Sequence, residues 1–106
     1  MNNRYMRLLL FFDLPMETSK ERKEYAVFHK FLIKNGFIMT QESVYCKLLI
    51  TPSAADAVAK VIRAGKPPSG IVQMLTVTEK QFSEMEYIVG AHHSEVISSD
   101  ERLVML

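Results

Sequence analysis

The chain has one cysteine, four glycines, four prolines and no tryptophan among 106 residues, and each shortage excludes something. A lone Cys46 cannot form an intrachain disulfide, which suits a reducing compartment. No glycine-rich phosphate loop is present, so nucleotide binding of the P-loop or Rossmann kind is excluded. The longest apolar runs fall far short of the roughly 20 residues needed for a membrane span, and the amino-terminal residues read as the lead into a strand, not as a signal peptide. These absences point to a cytoplasmic protein without a membrane partner. Net charge is only +1, so contact with nucleic acid would have to come from local patches. There are no internal repeats and no low-complexity tracts.

What is present is an ordinary globular composition, 48% hydrophobic and 24% charged. The length gives a single domain near the size at which a core alone is only modestly stable, so a dimer would help. The stretch from Arg4 to Pro15 has apolar residues at Tyr5, Met6, Leu8 to Phe12 and Leu14, broken only by Arg7 and Asp13. A half-exposed strand would alternate, so this one reads as central and covered on both faces. Pro15 ends it and leaves Asp13 at its carboxyl end.

Thr18 and Glu21 fit a capping box that opens a helix running to about Asn35, with Gly36 as a left-handed stop. At about 100° per residue, Tyr25, Phe28, Phe31 and Leu32 share one arc, and Lys20, Lys23, Lys30 and Lys34 share a neighbouring one. Such lysines either lie along phosphates or simply form a solvated face. Phe37 to Thr40 reads as a strand, Gln41-Glu42 as a break and Ser43 to Ile50 as the next strand. Thr51 and Pro52 then open a second helix, with Ala54, Ala55, Val58, Val61 and Ile62 as its apolar face and Gly65 as its end. Lys66 to Gly70 is the most loop-like segment, and Ile71 to Thr78 is a β-branched strand. Thr78 to Gln81 can start one helical turn, Met85 to Val89 reads as a further strand, and Arg102 to Leu106 is apolar enough to pair with an edge or dock on a partner.

The order strand, helix, strand, strand, helix, strand is the ferredoxin-like βαββαβ arrangement of the α+β class. It forms a single domain over 1–106, with a core at 4–78 and a C-terminal strand extension at 79–106. Helices cover one face of the sheet, and a second copy of the chain would cover the other, giving a homodimer through the sheets.

Asp13 is the main candidate for chemistry, although an aspartate before Leu-Pro also serves as a cap or turn former. If two sheets pair about a two-fold axis, two Asp13 carboxylates about 5 Å apart would repel by roughly 3 kcal/mol at an effective dielectric of 20. A divalent cation would turn that repulsion into a site. Oxygen-only ligation by few protein groups favours Mg²⁺ or Mn²⁺, whose chemistry is charge neutralisation at a phosphodiester. Nothing else makes a stronger site: His92-His93 lacks further ligands at zinc spacing, Cys46 has no activating base and Ser43 sits in no nucleophile elbow.

Tyr5-Met6-Arg7 leading to Phe11-Phe12-Asp13-Leu14-Pro15, then Gly36-Phe37-Ile38-Met39 with Gln41-Glu42-Ser43-Val44-Tyr45, then Leu75-Thr76-Val77-Thr78-Glu79-Lys80-Gln81-Phe82, resembles the Cas2 family of small CRISPR-associated adaptation proteins. The Thr78 to Phe82 run is similar to members that accompany the Cas9 effector. The resemblance covers nearly the whole chain. It implies a homodimer whose C-terminal strands extend the partner's sheet, a Mg²⁺ or Mn²⁺ ion between two copies of Asp13, and a metal-dependent endonuclease acting on DNA or RNA. It also implies a role in spacer acquisition, in which the dimer joins the large CRISPR integrase and helps bind duplex DNA. Lys20, Lys23, Lys30 and Lys34, with Arg4 and Arg7, are the candidate nucleic-acid contacts. A non-catalytic DNA-binding scaffold and a ferredoxin-like module binding a small molecule between subunits are the competing readings.

Overall fold

The computed structural model describes residues 5–90. Its seven elements are β1 (Met6–Asp13), α1 (Ser19–Lys34), β2 (Ile38–Gln41), β3 (Val44–Leu49), α2 (Pro52–Ala64), β4 (Ile71–Thr78) and the short α3 (Glu79–Ser83). The four strands form one antiparallel sheet in the order β2-β3-β1-β4, so β1 is interior. This is the α+β, ferredoxin-like order expected from the sequence.

Local chemistry sets the helix boundaries. Thr18 Oγ1 accepts from the Glu21 N–H at 3.0 Å, and Glu21 Oε1 accepts from the N–H groups of Thr18 and Glu17, each at 3.0 Å. This reciprocal cap leaves few donors unmet at the start of α1. The chain leaves α1 through Gly36, whose φ of +87° is a left-handed conformation that glycine adopts without a Cβ penalty. Thr51 Oγ1 caps α2 by accepting from the Ala54 N–H at 3.2 Å, with Pro52 in the first turn. Thr78 and Gln81 form a second capping box at α3.

The core lies between α1 and α2 and one face of the sheet. Leu8, Leu10 and Phe12 point into it from β1, Tyr45 and Leu49 from β3, Phe28 and Leu32 from α1, and Ala55 and Ile62 from α2. Phe12 is its hub, with ring centroids 5.3 Å from Phe28, 5.4 Å from Tyr45 and 5.8 Å from Tyr25. Tyr25, Phe31, Ala54 and Val58 pack against the cluster half-buried. On α2 the helical phase differs slightly from the expected one: Val61 is exposed, and Ala59 is buried in its place.

The largest departure lies beyond β4. Residues 79–83 are helical, in line with the turn expected from Thr78, whereas Met85 to Val89, expected as a strand, forms none. These residues have high β propensity, but among the described residues they pair with no strand, and Ile88 and Val89 stand 80% and 89% exposed. The proposed pairing of Arg102 to Leu106, and the His92-His93 pair, lie outside the described residues.

Candidate functional site at the end of the first strand

Alternation along β1 sends Leu8, Leu10 and Phe12 into the core and Arg7, Leu9, Phe11 and Asp13 to the face opposite α1 and α2. The pairing extends that face outward. Leu9 lies between Cys46 and Leu75, Arg7 between Leu48 and Val77, and Asp13 beside Ile71. Ile38, Leu48, Ile71 and Leu75 are exposed there, giving an apolar surface that neither α1 nor α2 covers.

Asp13 sits exposed at the end of this row. Two loops hold the strand end. The Phe12 N–H donates to the Ser43 carbonyl at 3.1 Å, where Ser43 itself has a φ of 66°. On the other side Gly70, with a φ of +91°, comes so close that a Cβ there would lie 2.8 Å from the Asp13 carbonyl oxygen. The backbone position of Asp13 is therefore fixed, while its carboxylate stays accessible.

Among the described residues no three His, Cys, Asp or Glu side chains gather to hold a metal ion. Glu17, the nearest acid in sequence, is exposed at the start of α1. The Glu21 carboxylate is occupied by the cap, whose backbone donors hold its pKa below the usual range. Among the described residues, Asp13 is thus the one accessible carboxylate on this strand end. The donor set fits a hydrated divalent cation only if a second copy supplies another.

The nominated cations fall into different settings. Lys23, Lys30 and Lys34 are exposed on α1, and Lys20 makes a 3.1 Å ion pair with Glu24. Arg7 is engaged within the chain. Its Nε and Nη2 donate to the two Glu79 oxygens at 2.6 and 3.2 Å, its guanidinium lies 4.5 Å from the Phe82 ring centroid, and Nη1 reaches Cys46 Sγ at 3.7 Å. The Glu79 hydrogen bond raises the Arg7 pKa against the opposing effect of burial. Arg4 lies outside the described residues.

Two features escaped the sequence reading. One is the Arg7–Glu79–Phe82 cluster, signalled only by a single arginine in an apolar strand and a capped glutamate far along the chain. The other is an open groove of about 570 Å³ where the end of α2 meets the 66–70 loop; Arg63 and Lys66 stand beside apolar Leu10, Ile62, Val72 and Met74.

Comparison with known proteins bears on this arrangement. The model of the family "CRISPR associated protein Cas2" matches residues 6–85. A Treponema denticola protein named "CRISPR-associated endoribonuclease Cas2" is 52% identical over 101 residues, covering 95% of this chain and 100% of the relative. A Streptococcus mutans protein of the same name is 48% identical over 101 residues, covering 95% of this chain and 93% of the relative. A solved structure described as "Crystal structure of cas2" superposes with a TM-score of 0.57 at 18% identity, over 91% of this chain and 99% of the other, a likeness of fold. No described helix is long and apolar enough to cross a membrane. With most of its length matched by the family model and by relatives of this similarity, the chain belongs to the CRISPR-associated Cas2 family.

Proposed function

We propose that the protein is a homodimeric, divalent-metal-dependent endonuclease of a CRISPR system, working in the cytoplasm, with RNA, the substrate class in its relatives' names, as its first substrate. The observation that carries this reading is the position of Asp13, an accessible carboxylate at the rim of an apolar sheet face that α1 and α2 leave uncovered. Two copies joined through that face bury Ile71 and Leu75 and bring two Asp13 carboxylates toward the axis. Mg²⁺ or Mn²⁺ held by that pair supplies charge stabilisation at a phosphodiester. The chain's own part is to fix the Asp13 backbone through Ser43 and Gly70, and to keep the carboxylate free of internal partners.

The test is cleavage of a labelled single-stranded RNA with and without Mg²⁺, for the wild type and Asp13→Ala. Mg²⁺-dependent cleavage that the variant loses while remaining dimeric supports the reading. Cleavage unchanged in the variant overturns it.

The exposed ammoniums of Lys23, Lys30 and Lys34 favour a second role, holding duplex DNA for spacer acquisition beside the large CRISPR integrase. Co-purification of the two proteins, and duplex binding that weakens steeply with salt, test that role independently of cleavage.

A further inference from the structure

Helix α3 sits on the same sheet face as Asp13. Its first residue joins the end of the sheet, the Glu79 N–H donating to the Tyr5 carbonyl at 3.1 Å, and its Glu79 and Phe82 side chains hold Arg7 between them. The paired guanidinium and carboxylate are each only partly exposed, 22% and 32%. A forked, two-bond contact with an aromatic seat fixes direction as well as distance, which a single ammonium would not do.

The face is consequently uneven. Near Arg7 it is partly closed: Leu9 and Cys46, although on the side away from α1 and α2, are buried, and Val77 is half-buried, while Leu48 on the β3 side of Arg7 stays exposed. Toward the other end of β4, Gln73 and Ile71 are exposed beside Phe11 and Asp13, and Leu75 is exposed beside Leu9. Arg7 and Asp13 lie six positions apart on one strand, roughly 20 Å at about 3.3 Å per residue.

We propose that the Arg7–Glu79 pair, seated on Phe82, is a positioning device for the Asp13 site: it pins α3 over one end of the open face, so that a second copy can seat only at the Asp13 end. Resting on the two-copy reading above, this makes Arg7 and Glu79 positioning residues, acting on the metal site through the placement of the second copy and not by contact with it. Released from Arg7, α3 leaves more apolar sheet open. The second copy can then slide along it, and the two carboxylates lose their common position. Association persists while the shared site is lost, whereas a merely stabilising ion pair would change unfolding and leave metal affinity alone.

The experiment is a double-mutant cycle on the full chain, Arg7→Met, Glu79→Gln and both together, with Glu84→Gln as an exposed control. Dimer formation is read by sedimentation, Mn²⁺ affinity by titration and folding by thermal unfolding. The expected result is dimeric, folded variants whose Mn²⁺ affinity falls about tenfold, with the double variant no weaker than either single one because the pair acts as a unit. Unchanged Mn²⁺ affinity in folded, dimeric variants overturns the positioning role and leaves the two-copy reading standing. A wild type that is monomeric or binds no Mn²⁺ overturns both.

Discussion

The ring of Phe31 occupies the place that a side chain on Gly65 would need: a Cβ there would lie 2.2 Å from the ring tip. Phe31 comes from α1 and Gly65 closes α2, so this contact sets how closely the two helices meet beside the sheet. Gly65 has an ordinary φ of −98°, and its requirement is for space alone. Gly65→Ala is expected to lower stability by about 1–3 kcal/mol, the usual cost of overpacking. A denaturant midpoint equal to the wild type's would show that the helices part without cost.

The same pair of residues illustrates what the sequence could and could not disclose. Features made by neighbours in the chain were legible: the capping boxes at Thr18–Glu21 and Thr78–Gln81, Pro52 at the start of α2 and the turn at Gly36 depend on a few adjacent residues. Asp13 at a strand end was legible because Pro15 stops the strand. Gly65 was recognised as a helix end, but its partner Phe31 belongs to another helix, and no local pattern pairs them. Arg7 was nominated for phosphate while its partner Glu79 lies 72 residues away. Met85 to Val89 carried a strand's composition, but a strand also needs an edge to pair with, and composition says nothing of that.

The Tyr45 hydroxyl, inside the core, meets His29 Nδ1 at 2.5 Å. Tyr45→Phe removes that hydrogen bond and is expected to cost about 0.5–1.5 kcal/mol near neutral pH, read from chemical denaturation.

The same phenol gives a pH signature. Burial, and secondarily the proximity of Tyr25, push the Tyr45 pKa above its ordinary value. With the folded value raised, the unfolded chain ionises first as pH climbs. The contribution is therefore complete below the unfolded value of about 10 and is lost as pH rises through the folded one. The unfolding free energy of the wild type is expected to fall more steeply above about pH 10 than that of Tyr45→Phe. Parallel curves would place the phenol in contact with solvent.

Lys23, Lys30 and Lys34 stand exposed along α1, whereas Lys20 is paired with Glu24. If the stripe lies along phosphates, changing these three lysines to glutamine lowers the slope of log affinity against log salt by about 0.9 for each phosphate left without its lysine on duplex DNA and about 0.7 on single strands. Lys20→Gln is expected to change the slope less. Equal slopes for the triple variant and the wild type would assign the stripe to solvent.

A site shared between two copies makes a numerical demand that a site built within one chain does not. Each chain contributes one accessible Asp13 and no surrounding acidic cluster among the described residues. The most direct measurement is a Mn²⁺ titration of the purified protein at a concentration where it is dimeric, repeated on Asp13→Asn. Two copies sharing one ion give a stoichiometry of one Mn²⁺ per two chains, lost in the variant with the fold and dimer intact. One ion per chain, or binding that survives Asp13→Asn, would contradict a metal held between the two strand ends.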